Sequence, residues 1–208
     1  SILLTVLITA VMSFGSIRST NKLQLDNIQV TTRIASQSIS SNLHLLTERI
    51  YNISTDAELT DDSLSKKDKA AYLQDFEQEI EFVWLSVYDA DGKKLYGDKT
   101  APDSIADTKY YSQLAETANT VIGEPHYDQD VLQLCVGAPL KANDEVCGYV
   151  IGSYKYDLLN DVLSMLILGD TGSACIINEK GTIIADQDEK NIADQVSIYD
   201  KNSSSKNK

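Results

Sequence analysis

Cysteine, basic residues and recognisable catalytic motifs are all in short supply in this chain, and each shortage narrows what it can be. Cys135, Cys147 and Cys175 are the three cysteines among 208 residues. With that odd count, no disulfide framework is expected and unbridged, buried thiols are. If residues 132–139 and 146–154 pair as antiparallel strands around a 141–145 loop, Cys135 faces the region of Ile151 and not Cys147. For an exported domain, such thiols suit a reducing or anaerobic habitat. Lys and Arg number 18 against 31 Asp and Glu, a net charge of −13. That balance repels phosphate backbones and anionic lipid surfaces over a Debye length, so no nucleic-acid partner is expected. There is no zinc-ligand pair, no Gly-x-Ser-x-Gly elbow, no phosphate loop and no Cys–His dyad with supporting spacing. No catalytic residue, metal or cofactor is therefore expected. The apolar content of 42% is ordinary for a globular core, and the length allows one or two domains.

Charge is also missing from the start of the chain. Ser1 is followed by Ile-Leu-Leu-Thr-Val-Leu-Ile-Thr-Ala-Val-Met-Ser-Phe14, and no charged residue precedes Arg18. The run is shorter than the ~20 apolar residues that span a bilayer. The chain opens without Met, so residues 1–17 are read as a truncated transmembrane helix. The rivals are a signal-peptide core, for which Ala10 and Ser13 make a poor cleavage site, and a buried helix of a soluble protein.

From Arg18 to beyond Ile53 there is neither Pro nor Gly. Leu25, Ile28, Thr32, Ala35, Ile39, Leu43, Leu46, Ile50 and Ile53 step by three and four, with one stutter between Ile39 and Leu43. This predicts a helix over 18–55; some thirty residues of it make a rod of about 45 Å. It is either a signalling helix or a long core helix. A parallel homodimer through Ile28, Ala35, Ile39 and Leu46 is expected of the first.

The 56–69 stretch is polar and reads as a loop or linker, followed by a helix over 69–81. Strands are expected at 82–88, 94–96, 124–127, 131–138 and 147–156, with a helix at 108–117 between the second and third. A compact helix is expected at 158–168, and the Ser/Lys/Asn-rich tail at 201–208 is expected to be disordered. One helix feeding a five-stranded antiparallel sheet is the layout of a PAS-like domain, which leaves a ligand-sized cavity on one face of its sheet.

The chain also repeats itself. Trp84-Leu-Ser-Val-Tyr-Asp-Ala-Asp-Gly92-Lys-Lys-Leu-Tyr96 and Ser173-Ala-Cys-Ile-Ile-Asn-Glu-Lys-Gly181-Thr-Ile-Ile-Ala185 are each an apolar run, a polar turn ending in Gly, and a second short run, 89 positions apart. Two generic hairpins would look alike too. The tandem reading gives an α+β chain: a long N-terminal helix followed by two PAS-like subdomains with antiparallel sheets, the second truncated. Its divisions are 56–160 for the first subdomain and 161–200 for the start of the second.

Ser104-Ile-Ala-Asp107-Thr-Lys-Tyr110-Tyr111, Gly123-Glu-Pro125-His-Tyr127, Gly137-Ala-Pro139-Leu, and Gly169-Asp-Thr-Gly172 with Gly181-Thr-Ile-Ile-Ala-Asp186 follow one another in a family order. In these motifs the chain resembles a double Cache (dCache) sensor domain, the extracytoplasmic module of bacterial methyl-accepting chemotaxis proteins and of related histidine kinases and diguanylate cyclases. The resemblance implies a cell-membrane protein with residues from about 18 onward outside the cytoplasm, 56–160 as the membrane-distal subdomain holding a small-molecule ligand, 161–200 as the start of the membrane-proximal one, and a non-catalytic role. In the amino-acid-sensing branch an Arg, one residue, then Trp-Tyr grips the ligand carboxylate, and an Asp near the end of the last distal strand takes the ammonium. Here Tyr110 and Tyr111 stand where Trp-Tyr would, Thr108 replaces the Arg, and Ser153 falls where the Asp is expected. Lys109 offers a point charge for a ligand carboxylate, without the bidentate geometry of Arg. Trp84, Ser86 and Tyr88 alternate onto one face of their strand, either toward the ligand or toward the packed side. His126 and Tyr127 complete the candidate ligand-binding set.

A different class of function lies in Asp170-Thr171-Gly172-Ser173, the Asp-Thr-Gly-Ser of aspartic proteases. That chemistry needs two carboxylates sharing one proton. Gly169 replaces the usual apolar residue before the Asp, and only 36 residues follow Gly172, too few for a protease half. A turn into the second PAS-like copy accounts for the same letters.

Overall fold

The computed structural model describes residues 2–79, 82–128, 131–156 and 174–199, of which 2–25, 77–79 and 128 are described as backbone. The helix expected at 158–168, the 169–173 turn with the protease-like letters, and the 201–208 tail lie outside these residues.

No Gly or Pro interrupts the chain between Gly15 and Gly92, and α1 runs unbroken from Ile2 to Ser54. At 1.5 Å per residue its 53 residues make a rod of about 80 Å. Among the described residues no helix is long and apolar enough to cross a membrane. The expected apolar line is buried only in its C-terminal part: Ala35, Leu46, Ile50 and Ile53 are buried and Ile39 and Leu43 partly so, while Ile28 and Thr32 are exposed. Leu46 belongs to the chain's own core, which corrects the expectation that it would face a second copy.

The polar stretch after α1 is shorter than expected. Asp56 caps a one-turn helix α2 (Ala57–Thr60), its carboxylate accepting from the Glu58 amide. Helix α3 (Lys66–Glu79) begins three residues before the expected position 69. Ser65 starts it by exchanging hydrogen bonds with Asp68, the amide of Asp68 donating to its hydroxyl and that hydroxyl donating to the Asp68 carboxylate.

The main sheet is antiparallel, in the order β2 (Lys94–Gly97), β1 (Phe82–Asp89), β6 (Glu145–Lys155), β5 (Val131–Ala142), then β3 (Val121–Ile122), with β4 (His126–Asp128) also on β5. The strand expected at 124–127 is thus two short ones flanking Gly123-Glu-Pro125. Strands β5 and β6 run longer than expected, because Asn143 and Asp144 both take positive φ (52° and 66°) and close a two-residue turn where a 141–145 loop was expected. Such a turn matches the right-handed twist of its strands and lets pairing continue to the tip.

Both faces of the sheet are covered. Leu85 and Val87 of β1, Leu134, Val136 and Leu140 of β5, and Val150 and Tyr154 of β6 pack against α1, α2 and α3. On the other face Trp84, Tyr88, Cys135, Tyr149 and Ile151 pack against α4 (Lys109–Thr117) and against Ala101 and Ile105 of the loop before it. One glycine on each face admits the covering helix: a Cβ on Gly152 would meet Ile50 of α1, and one on Gly137 would meet Leu114 of α4. Doubly covered strands explain the near-continuous apolar runs of β5 and β6.

The sequence repeat is real at the level of hydrogen bonds. Asp89 and Asn178, 89 apart, each accept through Oδ1 from the amides two and four residues on, and in each turn the glycine amide (Gly92, Gly181) donates back to the carbonyl of the first residue. Gly92 and Gly181 have φ of 78° and 77°, a conformation that glycine adopts without strain. The second turn joins β7 (Cys175–Ile177) to β8 (Ile183–Asp186), a separate two-stranded sheet followed by the short helix α5 (Glu189–Ala193). Ile183, Ala185 and Ile192 cluster with Leu132 and Tyr156 of the main sheet region and with Ile39 of α1.

No disulfide joins the three cysteines. Cys135 is buried as expected, opposite Ser153 and two pairs away from the Gly137–Ile151 match. Cys147 and Cys175 are exposed, against the expectation of burial. Cys147 lies near the hairpin tip, beyond the residues that the covering helices bury, and β7 belongs to a sheet of only two strands.

Candidate functional site

The register settles which way the candidate residues of β1 face. Trp84 pairs with Ser153, which pairs on its other side with Cys135; Ser86 pairs with Ile151, which pairs with Gly137; Tyr88 pairs with Tyr149, which pairs with Pro139. Paired residues share a face, so these three rows form a floor under α4. Trp84, Ser86, Tyr88 and Ser153 therefore lie on the α4 face, while Leu85 and Val87 between them face α1.

Helix α4 is placed by its ends. The Thr108 hydroxyl accepts from the Tyr111 amide at the N-terminus, and Ala118 takes a left-handed conformation at the C-terminus, its amide donating to the Leu114 carbonyl. Tyr110 and Leu114 point down and are buried. Leu114 rests over Gly137 and Gly123 lies beneath Tyr110. Tyr111 reaches sideways: its hydroxyl donates to the Ala90 carbonyl at 2.8 Å, and its ring meets Tyr149 edge-on at 5.8 Å. The wall formed by 98–108 is held by Tyr88, whose hydroxyl donates to the Pro102 carbonyl, and by Lys94, which donates to the Ala101 carbonyl and pairs with Asp103 at 3.2 Å.

The floor carries polar atoms in an apolar setting. Ser153 donates to the side-chain carbonyl of Gln133, both being buried. Trp84 Nε1 and Ser86 Oγ are buried without a hydrogen-bond partner on this face, as are the hydroxyls of Tyr154 on the α1 face and of Tyr156 beyond β6. Burial pushes the phenols of Tyr88 and Tyr149 up from their ordinary value, with smaller contributions from Tyr110 and Tyr111 respectively. Cys135 Sγ lies 3.9 Å from Nε2 of His126, whose Nδ1 is 3.3 Å from the Glu124 carbonyl. Sequence spacing gave no sign of this contact, which arises because β4 and β5 lie side by side.

The remaining candidates lie at the edge of the floor or beyond it. Lys109 is exposed at the head of α4 and pairs with Glu124 at 3.0 Å. Tyr127 is exposed, and its hydroxyl donates to Glu189 at 2.9 Å. His126 is half-buried at the rim. Gln133, Tyr149 and Leu114 were missed. Gln133 was the findable one, a polar residue inside the apolar run Leu132-Gln-Leu-Cys-Val136. Two concavities lie away from the floor, one of about 450 Å³ lined by Leu59, Lys66, Lys69, Tyr96 and Lys141, the other of about 520 Å³ between the end of α1 and residues 118–120. Among the described residues no group of His, Cys, Asp and Glu is placed to hold a metal ion.

A sheet covered on one side by a long helix and on the other by a short capped one is the PAS-like layout expected from the sequence. The family model described as "Cache domain" matches residues 16–208, and the chain belongs to that family. Cache domains of this double type are sensor domains, in general non-catalytic. Among solved structures, an extracellular ligand binding receptor from Desulfohalobium retbaense is 14% identical with a TM-score of 0.63, over 79% of this chain and 31% of that one. The chain thus spans about a third of that protein's length. The ligand binding domain of the Pseudomonas aeruginosa amino acid chemoreceptor PctB, in complex with L-Gln, is 18% identical with a TM-score of 0.64, over 83% of this chain and 71% of that one. The sensor domain of the Vibrio cholerae histidine kinase DctB is 14% identical with a TM-score of 0.63, over 79% and 67%. At these identities the likeness is one of fold. No curated protein matches the chain.

Proposed function

We propose that residues 56–160 form the ligand-binding subdomain of a membrane-anchored sensor, with the ligand held between the β1–β6–β5 floor and α4, and that 161–200 begin a second, membrane-proximal subdomain. The observation that carries this reading is the pair of buried, unpartnered polar atoms Trp84 Nε1 and Ser86 Oγ. Each costs on the order of 1–3 kcal/mol while unsatisfied, and a bound molecule would recover that. Trp84, Ser86, Tyr88, Tyr110, Tyr111 and Ser153 are the proposed contacts; Lys109, His126 and Tyr127 belong to the rim.

Membrane anchoring through residues 1–17 rests on the uncharged apolar run before Arg18 and its continuity with α1. Localisation of the rest outside the cytoplasm is supported by the family, whose double-type domains are extracytoplasmic. Ligand binding would shift α1 by ~1–2 Å, as in other helix-shift switches, and an output domain would read the shift. A chemoreceptor is the preferred output, a histidine kinase or diguanylate cyclase the alternative; both chemoreceptor and kinase domains share the fold. Homodimerisation is proposed through α1, using the exposed Val30, Ile34 and Leu45.

A thermal-shift screen of amino acids, organic acids, amines and purines on the full chain tests the sensor reading. A ligand at a hundredfold its dissociation constant adds about 2.7 kcal/mol. Hydrogen exchange with the hit bound should show protection of α4 and β1; protection confined to β7 and β8 or to the Lys66–Lys69–Lys141 concavity would place the site elsewhere.

A further inference from the structure

The floor beneath α4 has a definite chemical character that its position alone does not explain. Among the described residues, the buried polar or charged side chains are Ser54, Ser86, Gln133 and Ser153; no Asp, Glu, Lys, Arg or His is buried. Two cations flank the floor and both are already matched: Lys109 at the head of α4 is exposed and pairs with Glu124, and Lys94, its side chain only 17% exposed, pairs with Asp103 and donates to the Ala101 carbonyl. An ionic ligand on this floor would give up its hydration without meeting an opposite charge, and burying an unpaired ion costs several kcal/mol even after relaxation.

What the floor does offer is hydrogen bonding. Trp84 Nε1 is a donor only, so its partner must be an acceptor; Ser86 Oγ can donate and accept. The two residues stand one strand repeat apart, about 7 Å along β1. Ser153 spends its proton on Gln133 and keeps acceptor capacity. Around these atoms lie Tyr88, Tyr110, Tyr149 and Ile151, flat and apolar surface suited to a ring or a short hydrocarbon.

We infer that this floor selects an electrically neutral ligand with a hydrogen-bond acceptor at one end and a donor or acceptor at the other, a carboxamide or an uncharged nitrogen heterocycle, over carboxylates and α-amino acids. The inference rests on the sensor reading above and assigns its ligand class. It also replaces Lys109 as the organising contact with Trp84 and Ser86. Neutrality follows from the absence of a buried counter-charge among the described residues, and the two-ended pattern from the two unpartnered atoms.

Isosteric pairs separate the inference from the reading beneath it. Nicotinamide and nicotinate, benzamide and benzoate, and propionamide and propionate are titrated calorimetrically into the full chain at pH 7, and into Trp84→Phe and Ser86→Ala. Both substitutions keep most of the buried volume, and circular dichroism checks the fold of each. The expected result is that the amide of at least one pair binds, its acid binds at least tenfold more weakly, and each variant weakens the amide about tenfold. An acid that binds as well as its amide, and is weakened in the variants, overturns the neutral class and leaves the sensor site standing. A binder unaffected by either variant overturns the site itself. Failure of every amide to bind overturns the ligand class.

Discussion

The hydroxyl of Tyr127, on β4 of the main sheet, donates at 2.9 Å to the carboxylate of Glu189 at the start of α5, 62 residues later in the chain. This side-chain bond ties the sheet to the hairpin unit that repeats its first turn, and the carboxylate raises the Tyr127 phenol from its ordinary value. Both groups are exposed, so the bond adds little to global stability. Tyr127→Phe should change the unfolding free energy by less than about 0.5 kcal/mol while speeding amide exchange in β7 and β8 relative to β5 and β6. Equal change in both sheets would show that the bond does not couple them.

Ser86→Ala should stabilise the unliganded protein. Its Oγ is buried without a partner, and removing an unsatisfied hydroxyl recovers on the order of 1–2 kcal/mol. Urea denaturation reads this directly. A loss of stability would mean that the hydroxyl is satisfied in solution.

Two glycines on neighbouring strands should respond differently to alanine. At Gly137 the added Cβ would meet the methyl ends of Ile151 and Leu114, which can give; at Gly148 it would meet the main-chain carbonyl of Tyr88, which cannot. Gly148→Ala should cost about 2–3 kcal/mol and Gly137→Ala about 1 kcal/mol or less, the latter chiefly by lifting α4. Comparable costs measured by denaturation would contradict the assigned packing.

Alkaline pH should unfold the protein through its tyrosines. The hydrogen bond to the Asp56 carboxylate pushes the Tyr72 phenol up to about 12, and burial pushes Tyr96 up to about 12. Burial drives Tyr88, Tyr154 and Tyr156 in the same direction. A phenol that holds its proton more tightly when folded contributes stability that is fully present below about pH 10, the ordinary tyrosine value, and is lost as the pH climbs toward 12. Urea midpoints should stay level to pH 9 and fall between pH 10 and 12, and Tyr72→Phe should flatten part of that fall. A midpoint independent of pH over this window would exclude the Tyr72–Asp56 bond.

On α1, a dimer must use surface that the chain's own core has left open. Val30, Ile34 and Leu45 are exposed, whereas Leu46 is buried under the sheet. In a Cys147→Ser, Cys175→Ser background, single cysteines at Val30 and Ile34 in membranes should cross-link between chains, and one at Leu46 should not. Efficient cross-linking from Leu46 would mean that α1 separates from the sheet.

Local chemistry made much of this protein legible in its sequence. The Asp89–Gly92 and Asn178–Gly181 turns declared themselves because a side-chain acceptor followed three residues later by glycine closes a turn by short-range hydrogen bonds alone. Helix α1 showed in its three-and-four spacing, α4 as a helix over 108–117, and the family in the order of its motifs. Boundaries slipped where a local device was overlooked: Asp56 capping α2, Ser65 starting α3, and the two left-handed residues Asn143 and Asp144 that turned an expected loop into continuous strand. The direction of Trp84, Ser86 and Tyr88 was of another kind. Alternation put them on one face of β1, yet which face meets α4 depends on pairing with Ser153 and Ile151, some 65 to 70 residues away. The same long-range register set Cys135 beside His126, placed Gln133 under Ser153, and left Trp84 Nε1 and Ser86 Oγ without partners. Hydrogen bonds within a turn are written in neighbouring residues; burial, and the polar atoms it strands, exist only once distant strands have been brought together.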